Sequence, residues 1–278
     1  MKPAPFAYHR PGSLTEAVAT LAGDPGAKVL AGGQSLVPLL SMRLAAPSAL
    51  VDINALPGLD TIDADESGVT VGALARHADV LASSAVRRVQ PLVSLALAHV
   101  AHATIRNRGT TVGSLVHADA AAEMPVVLTL LGGSLAVVGP EGRRSIPAVE
   151  LYVGPLESSV HHDEIAVSAF FPTLAEGAGV AFDEIARRHG DYALVGAAAL
   201  IEGDSVRVGY LSVADVPTVV DLSGVPEDQL GEAALEHLDP ADDIHATADY
   251  RAELVRVLTR RVVRSAREFR QAQPSERP

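Results

Sequence analysis

The chain has 278 residues, 48% of them hydrophobic, enough for one large domain or two modest ones with a true core. Its 22 Lys and Arg against 34 Asp and Glu leave a formal net charge of −12, a poor match for nucleic acid or an anionic membrane surface. With no Cys, disulfides, thiolate-ligated metals and thiol nucleophiles are excluded. The opening MKPAPFAYHRPG carries no apolar run of signal-peptide length, and no stretch approaches the ~18 apolar residues of a spanning helix, so a soluble cytoplasmic protein with no membrane insertion is expected.

Ser13-Leu14-Thr15-Glu16 fits a capping box, and Leu14, Val18 and Leu21 follow at helical spacing until Gly23 and Pro25 end the helix. Residues 28–31 read as a strand running into a glycine turn, 36–44 as a short apolar helix with Pro38 near its start, and 49–53 as a second strand. Pro57-Gly58 closes this βαβ-like opening, a subdomain of about 55 residues. A strand at 69–74, a short helix at 76–82 and a longer helix at 86–102 follow. Residues 124–131 predict a helix, 134–138 a strand, Gly139 to Gly142 a turn, and 164–171 a strand closed by Pro172.

Glu176-Gly177-Ala178-Gly179 marks the domain boundary. Beyond it lie strands at 180–186, 193–201, 206–214 and 218–222, then helices at 229–237 and 247–269. Strands first and helices after predict an α+β domain with helices on one face of an antiparallel sheet. The polar tail from Gln271 to Pro278 is expected to fray.

Two Gly/Ser turns adjoin apolar runs. One is Ala31-Gly32-Gly33-Gln34-Ser35, flanked by Leu30 and Leu36; the other is Thr110-Thr111-Val112-Gly113-Ser114, led in by Arg106-Asn107-Arg108-Gly109. Glycines let the backbone bend or approach a ligand closely, and Thr110, Thr111 and Ser114 add hydroxyl donors beside backbone N–H groups. Such a concavity binds an anion without net positive charge, and two of them suggest a phosphate bridge held from both sides. No GxGxxG is present, so a Rossmann dinucleotide site has no support; GxSxG, P-loop and HExxH motifs are absent as well. His161-His162-Asp163-Glu164 reads as a solvated loop, and His99 and His102 as surface histidines with no third metal ligand nearby. Arg251, Arg256, Arg260, Arg261, Arg264, Arg267 and Arg270 read as the solvated basic face of an amphipathic helix, with contact to an acidic partner chain as the alternative.

The segments AGGQSLVPLLSMRL and IRNRGTTVGSLVHADAAAEMP resemble the two flavin-binding segments of the medium subunit of molybdenum hydroxylases, the family of aerobic carbon monoxide dehydrogenase and bacterial xanthine dehydrogenase-type enzymes. The resemblance continues through LVDIN, VGALARHADV, FDEIARRHGDYALVG and DIHATADYRAELVRVLTRR and spans nearly the whole chain. It implies an α+β fold: an FAD-binding domain of the PCMH type over residues 1–175, in subdomains of about 1–55 and 56–175, then a C-terminal domain over 178–278. It implies FAD as cofactor, with a large molybdenum-cofactor subunit and a small iron–sulfur subunit as partners. Any iron–sulfur cluster must then lie on a partner, given the lack of Cys.

On this resemblance Leu30, Ala31, Gly32, Gly33, Gln34, Ser35 and Leu36 with Thr110, Thr111, Val112, Gly113 and Ser114 flank the pyrophosphate. His117, Asp119 and Glu123 lie along the same ligand, Glu123 at the adenosine ribose or else as a first-turn acid facing the helix dipole. Ile165 contacts the flavin or is plain core. Tyr192 covers the isoalloxazine ring by offset stacking, or else is a core tyrosine starting a strand. No catalytic side chain and no metal site are expected. Val112 stands where the family pattern TxGGS has its first glycine. At negative φ it leaves Gly113 to supply the tight bend, with fewer N–H groups reaching the phosphate. A stand-alone flavoprotein oxidoreductase and a flavin-free structural subunit remain the alternatives.

Overall fold

A computed structural model describes residues 2–272. Its first sheet has three parallel strands in the order Ala7–His9, Ala49–Asp52, Lys28–Leu30. The helices Leu14–Gly23 and Leu36–Met42 make the crossovers that parallel pairing requires. Ser13 caps the first helix by accepting the Glu16 N–H. The central strand is buried along its whole length, which is why its apolar run was legible. Ala7–His9 was not, because all three of its side chains are exposed.

A five-stranded antiparallel sheet follows, ordered Ile62–Asp65, Gly68–Gly72, Ile165–Pro172, Ser134–Gly139, Gly142–Pro147. Its two edge strands carry mostly polar or half-exposed side chains and escape the hydrophobic pattern. The helix expected over 86–102 is two helices, Ser84–Val89 and Pro91–Leu97. Pro91 has no N–H to continue the first and disfavours helical backbone at Gln90, which sits at φ −140°; as the first residue of the second helix it is well tolerated. The chain then leaves helical geometry, with Ala101 at φ 44°. A short helix Ala148–Leu151 and a hairpin, Tyr152–Gly154 with Glu157–Ser158, were not foreseen.

The last sheet is an antiparallel meander, Gly179–Ala186, Ala193–Glu202, Ser205–Leu211 and Thr218–Asp221. The helix Ala248–Ala272 covers one face, with Leu230–Leu235 against it. The opposite face receives the helix Glu123–Leu131; a Cβ on Gly209 would stand 2.6 Å from Val126 Cγ2. Helices therefore cover both faces of this sheet, one of them from the earlier part of the chain. The strand Ala193–Glu202 is accordingly buried from Ala193 to Ile201, and Ala198, Leu200 and Leu211 share a core with Leu128 and Val167. Of the tail expected to fray, Gln271 and Ala272 continue the helix, and residues 273–278 lie outside the described residues.

Candidate functional site

The turn after Lys28–Leu30 places Gly33 at φ +71°, a conformation glycine adopts without strain. At Gly32 the two glycine segments meet: a Cβ there would stand 2.4 Å from the Arg108 carbonyl oxygen and 2.9 Å from Gly109 Cα. Only glycine permits that approach. The turn forms one wall of a cleft of about 470 Å³, with Asp52, Asn54, Arg76 and Arg108 completing it. Ser35, just before the helix Leu36–Met42, makes no side-chain cap bond.

The second segment is not the bend expected of it. Thr110 caps a helix, Thr111–His117, its hydroxyl accepting the Gly113 N–H at 3.1 Å. Val112 and Gly113 both have helical backbone, so neither supplies a tight turn. Val112 points into the core, 2% exposed. The Thr110 and Thr111 hydroxyls also turn inward: both residues are buried, and Thr111 Oγ1 lies 3.2 Å from Nδ1 of His77. Burial, and secondarily Arg106, push the His77 imidazole down to about 4, so it is neutral near pH 7. Ser114 and His117 remain partly exposed.

A second cleft, also about 470 Å³, opens beyond the C-terminal end of this helix. The helix stops at Ala118, which is left-handed at φ 54°. Asp119 accepts the Ala121 N–H at 2.9 Å and faces the Tyr192 hydroxyl. The Tyr192 ring is 65% exposed, so it is not the core tyrosine of the alternative reading. Opposite, Ser212 at φ 64° donates its N–H to the Ala120 carbonyl at 2.9 Å, while its buried hydroxyl has no partner among the described residues. Arg251 closes the back, donating to the Leu194 carbonyl at 3.1 Å and to Asp243 at 2.8 Å. It is 7% exposed, which corrects its assignment to a solvated basic face. Much of that face is spent within the chain: Arg256 pairs with Glu232, Arg261 with Asp183, Arg264 and Arg267 with Glu227, and Arg270 donates to the Gly203 carbonyl.

Glu123 begins the helix Glu123–Leu131. Burial, then the nearby charge of Glu184, push its carboxyl up to about 8, so it is protonated at neutral pH. Its place in the first turn is the one the helix-dipole alternative describes. Glu184 in turn accepts from His99 Nδ1 at 3.5 Å. His99 also packs on Phe182, ring centroids 5.1 Å apart, and is half-buried rather than a surface histidine. Ile165, 1% exposed, starts its strand inside the core. His161 is exposed on a loop, and Glu164 is held by Arg144 at 2.6 Å. Among the described residues no group of three or more His, Cys, Asp or Glu side chains gathers in metal-ligand geometry.

Arg108 of the first cleft thus precedes, and Asp119 of the second follows, one seven-residue helix roughly 10 Å long at 1.5 Å per residue. Arginines line the first and an exposed aromatic ring borders the second, a division that suits a diphosphate joined to a flat heterocycle. Leu30 to Gln34 gather at the first cleft, Asp119 and Tyr192 at the second; Val112 and Ile165 face the core. Asn54, Arg76, Arg108, Ser212 and Arg251 were missed as site residues. Asn54 and Arg108 lie in LVDIN and RNRGT; for Asn54 a polar residue ending a largely apolar run was the available signal.

Residues 4–174 match the family model described as the FAD binding domain in molybdopterin dehydrogenase. The chain is 40% identical to the 6-hydroxypseudooxynicotine dehydrogenase complex subunit alpha of Paenarthrobacter nicotinovorans, over 99% of this chain and 98% of that one. It is 32% identical to the carbon monoxide dehydrogenase medium chain of Hydrogenophaga pseudoflava, covering 96% and 98%. In the crystal structure of quinoline 2-oxidoreductase from Pseudomonas putida 86, one chain superposes with a TM-score of 0.89 at 37% identity, covering 96% of this chain and 99% of that one. The chain belongs to the FAD-binding family of the molybdopterin dehydrogenases, and is an FAD-binding subunit of an oxidoreductase.

Proposed function

We propose that FAD lies along the helix Thr111–His117, its diphosphate in the first cleft and its isoalloxazine ring against Tyr192 in the second. The observation that carries this reading is the pair of clefts whose lining residues flank that helix. The backbone of Leu30 to Leu36 and the helix start from Thr110 to Ser114 bracket the diphosphate; Thr110, Thr111 and Val112 act through backbone, their side chains being buried. Arg76 and Arg108 offset the repulsion that a net charge of −12 would otherwise present to it. His117 and Asp119 follow the ligand toward the ring. Protonated Glu123 can both donate to and accept from ribose hydroxyls. Ile165 supports the ring from within the core, and Tyr192 stacks on it.

When bound, FAD supplies one- and two-electron redox chemistry, while the protein binds, orients and tunes it. Partner chains, a large subunit with the molybdenum cofactor and a small iron–sulfur subunit, complete the enzyme; the relatives' designations as medium chain or complex subunit and the lack of Cys support this. We divide the chain into an FAD-binding domain at 1–175, in subdomains of about 1–55 and 56–175, and a C-terminal domain at 178–278, supported by the family match ending at 174. The cytoplasm is the inferred compartment; no helix among the described residues is long and apolar enough to cross a membrane.

Purified chain should carry FAD noncovalently, released into a yellow supernatant on denaturation. A folded, colourless protein that takes up no added FAD would refute the reading. Co-purification with a cluster-bearing chain tests the assembly.

A further inference from the structure

The two glycine segments come from parts of the chain about eighty residues apart, yet a diphosphate held between them needs both in fixed register. Their backbones come together at Gly32 against Arg108 and Gly109. Two side chains in series span the junction. Asn54 Nδ2 donates to the Ala31 carbonyl at 2.8 Å and to Asp52 Oδ1 at 2.7 Å. Asn54 Oδ1 accepts from one terminal nitrogen of Arg76 at 2.8 Å, and the other terminal nitrogen donates to the Arg108 carbonyl at 2.7 Å. Asp52 is itself held by the Tyr8 hydroxyl. One carbonyl of each segment is therefore clamped to the same amide–guanidinium unit, and both side chains also line the first cleft.

We propose that Asn54 and Arg76 are positioning residues for the cofactor: a side-chain strut that sets the spacing of the two glycine segments and thereby their grip on the diphosphate of FAD. The proposal rests on the FAD reading above. The planar guanidinium matters as much as its charge. Its two terminal nitrogens reach two acceptors at once, which an ammonium on a flexible stem cannot reproduce in that geometry. Because the two links act in series, breaking either releases the same register, and breaking both adds little.

The test titrates the full-length apo-protein with FAD and with ADP, the latter carrying the diphosphate and adenosine without the flavin ring. Arg76→Lys and Asn54→Ala should each weaken FAD and ADP by about tenfold, the two ligands by the same factor, the scale of one or two charge-assisted hydrogen bonds, and Arg76→Met, which also removes the charge, should weaken them more. The Asn54→Ala/Arg76→Met double variant should bind no more weakly than Arg76→Met alone. Arg76→Lys keeps the charge, so wild-type affinity in that variant would reduce Arg76 to a simple counter-ion and overturn the strut. A double variant that loses the product of the single losses would overturn it too, since the residues would then act independently. Unchanged ADP affinity in every variant, with only the apo-protein's unfolding midpoint lowered, would make the pair a structural brace and nothing more. Should Asn54→Ala fail to fold, the comparison of Arg76→Lys with Arg76→Met still decides. Wild-type protein that binds neither ligand would defeat the FAD reading itself, separately from the strut.

Discussion

The substitution Val112→Gly separates what the family pattern implies from what the structure requires. Restoring the TxGGS pattern suggests a gain: one more N–H reaching the phosphate and FAD held tighter by about 1 kcal/mol. The fold argues for the opposite outcome. Val112 lies in the second helical position of Thr111–His117, 2% exposed and part of the main core. Removing its three side-chain carbons forfeits about 2.4 kcal/mol of burial at ~0.8 kcal/mol per carbon. Glycine adds roughly 0.4 kcal/mol relative to valine in a helix, and the void left behind adds more. The sum is about 3 kcal/mol of lost stability. At roughly 2–4 °C per kcal/mol for a chain of this size, the unfolding midpoint should fall by roughly 6–12 °C. The Val112 backbone is already helical, so the cleft gains no new donor and FAD affinity should not improve. Thermal unfolding of both apo-proteins, with FAD titrations well below the midpoint, measures the two effects separately. A glycine variant that binds FAD more tightly at an unchanged midpoint would show that the core role assigned to Val112 is wrong.

Tyr192→Ala should alter the fluorescence of bound flavin and weaken FAD by about 0.5–1.5 kcal/mol, with little effect on folding because the ring is exposed; an unchanged flavin spectrum would remove the stacking role. Two buried groups should give the stability–pH curve opposing slopes. His77 is depressed from 6.5 to about 4 in the fold, so below pH 6.5 the unfolded chain takes a proton the native chain refuses; stability falls as pH drops, by at most about 1.4 kcal/mol per unit, and levels off below 4. Glu123 is raised from 4.5 to about 8, so the native chain keeps a proton the unfolded chain releases, and stability declines as pH rises across that interval. Between pH 4.5 and 6.5 the two slopes oppose and largely cancel, so urea unfolding across pH should show His77→Gln uncovering a decline in stability from 4.5 to 8 and Glu123→Gln uncovering a rise from 4 to 6.5; variants that track the wild type at every pH would contradict both assignments.

Most of the regular framework was legible from the sequence because it rests on local chemistry. The Ser13 capping box, the apolar run of Ala49–Asp52 and the meander from Gly179 to Asp221 each carry their own signal in periodicity, capping or turn residues. The two glycine segments, and the family they resemble, were likewise written in consecutive residues. Edge strands such as Gly142–Pro147 left no trace, since a strand with an exposed polar surface needs no hydrophobic alternation. Pro91 did announce the break in the helix expected over 86–102; the apolar periodicity on either side concealed it.

The sequence by itself determined which residue types are offered to the proposed FAD site: glycines for close approach, an aromatic ring, and acids without cysteines. Only the tertiary structure decided which way they face. Thr110, Thr111 and Val112 turned inward because the helix they begin must bury a side against Ala75 and His77, and spacing along the chain cannot say which side that is. Asn54 and Arg76 became part of the site, and Arg251 left the solvated face, through partners 22 to 57 residues away. Such contacts are fixed when separate elements pack, so no local pattern records them.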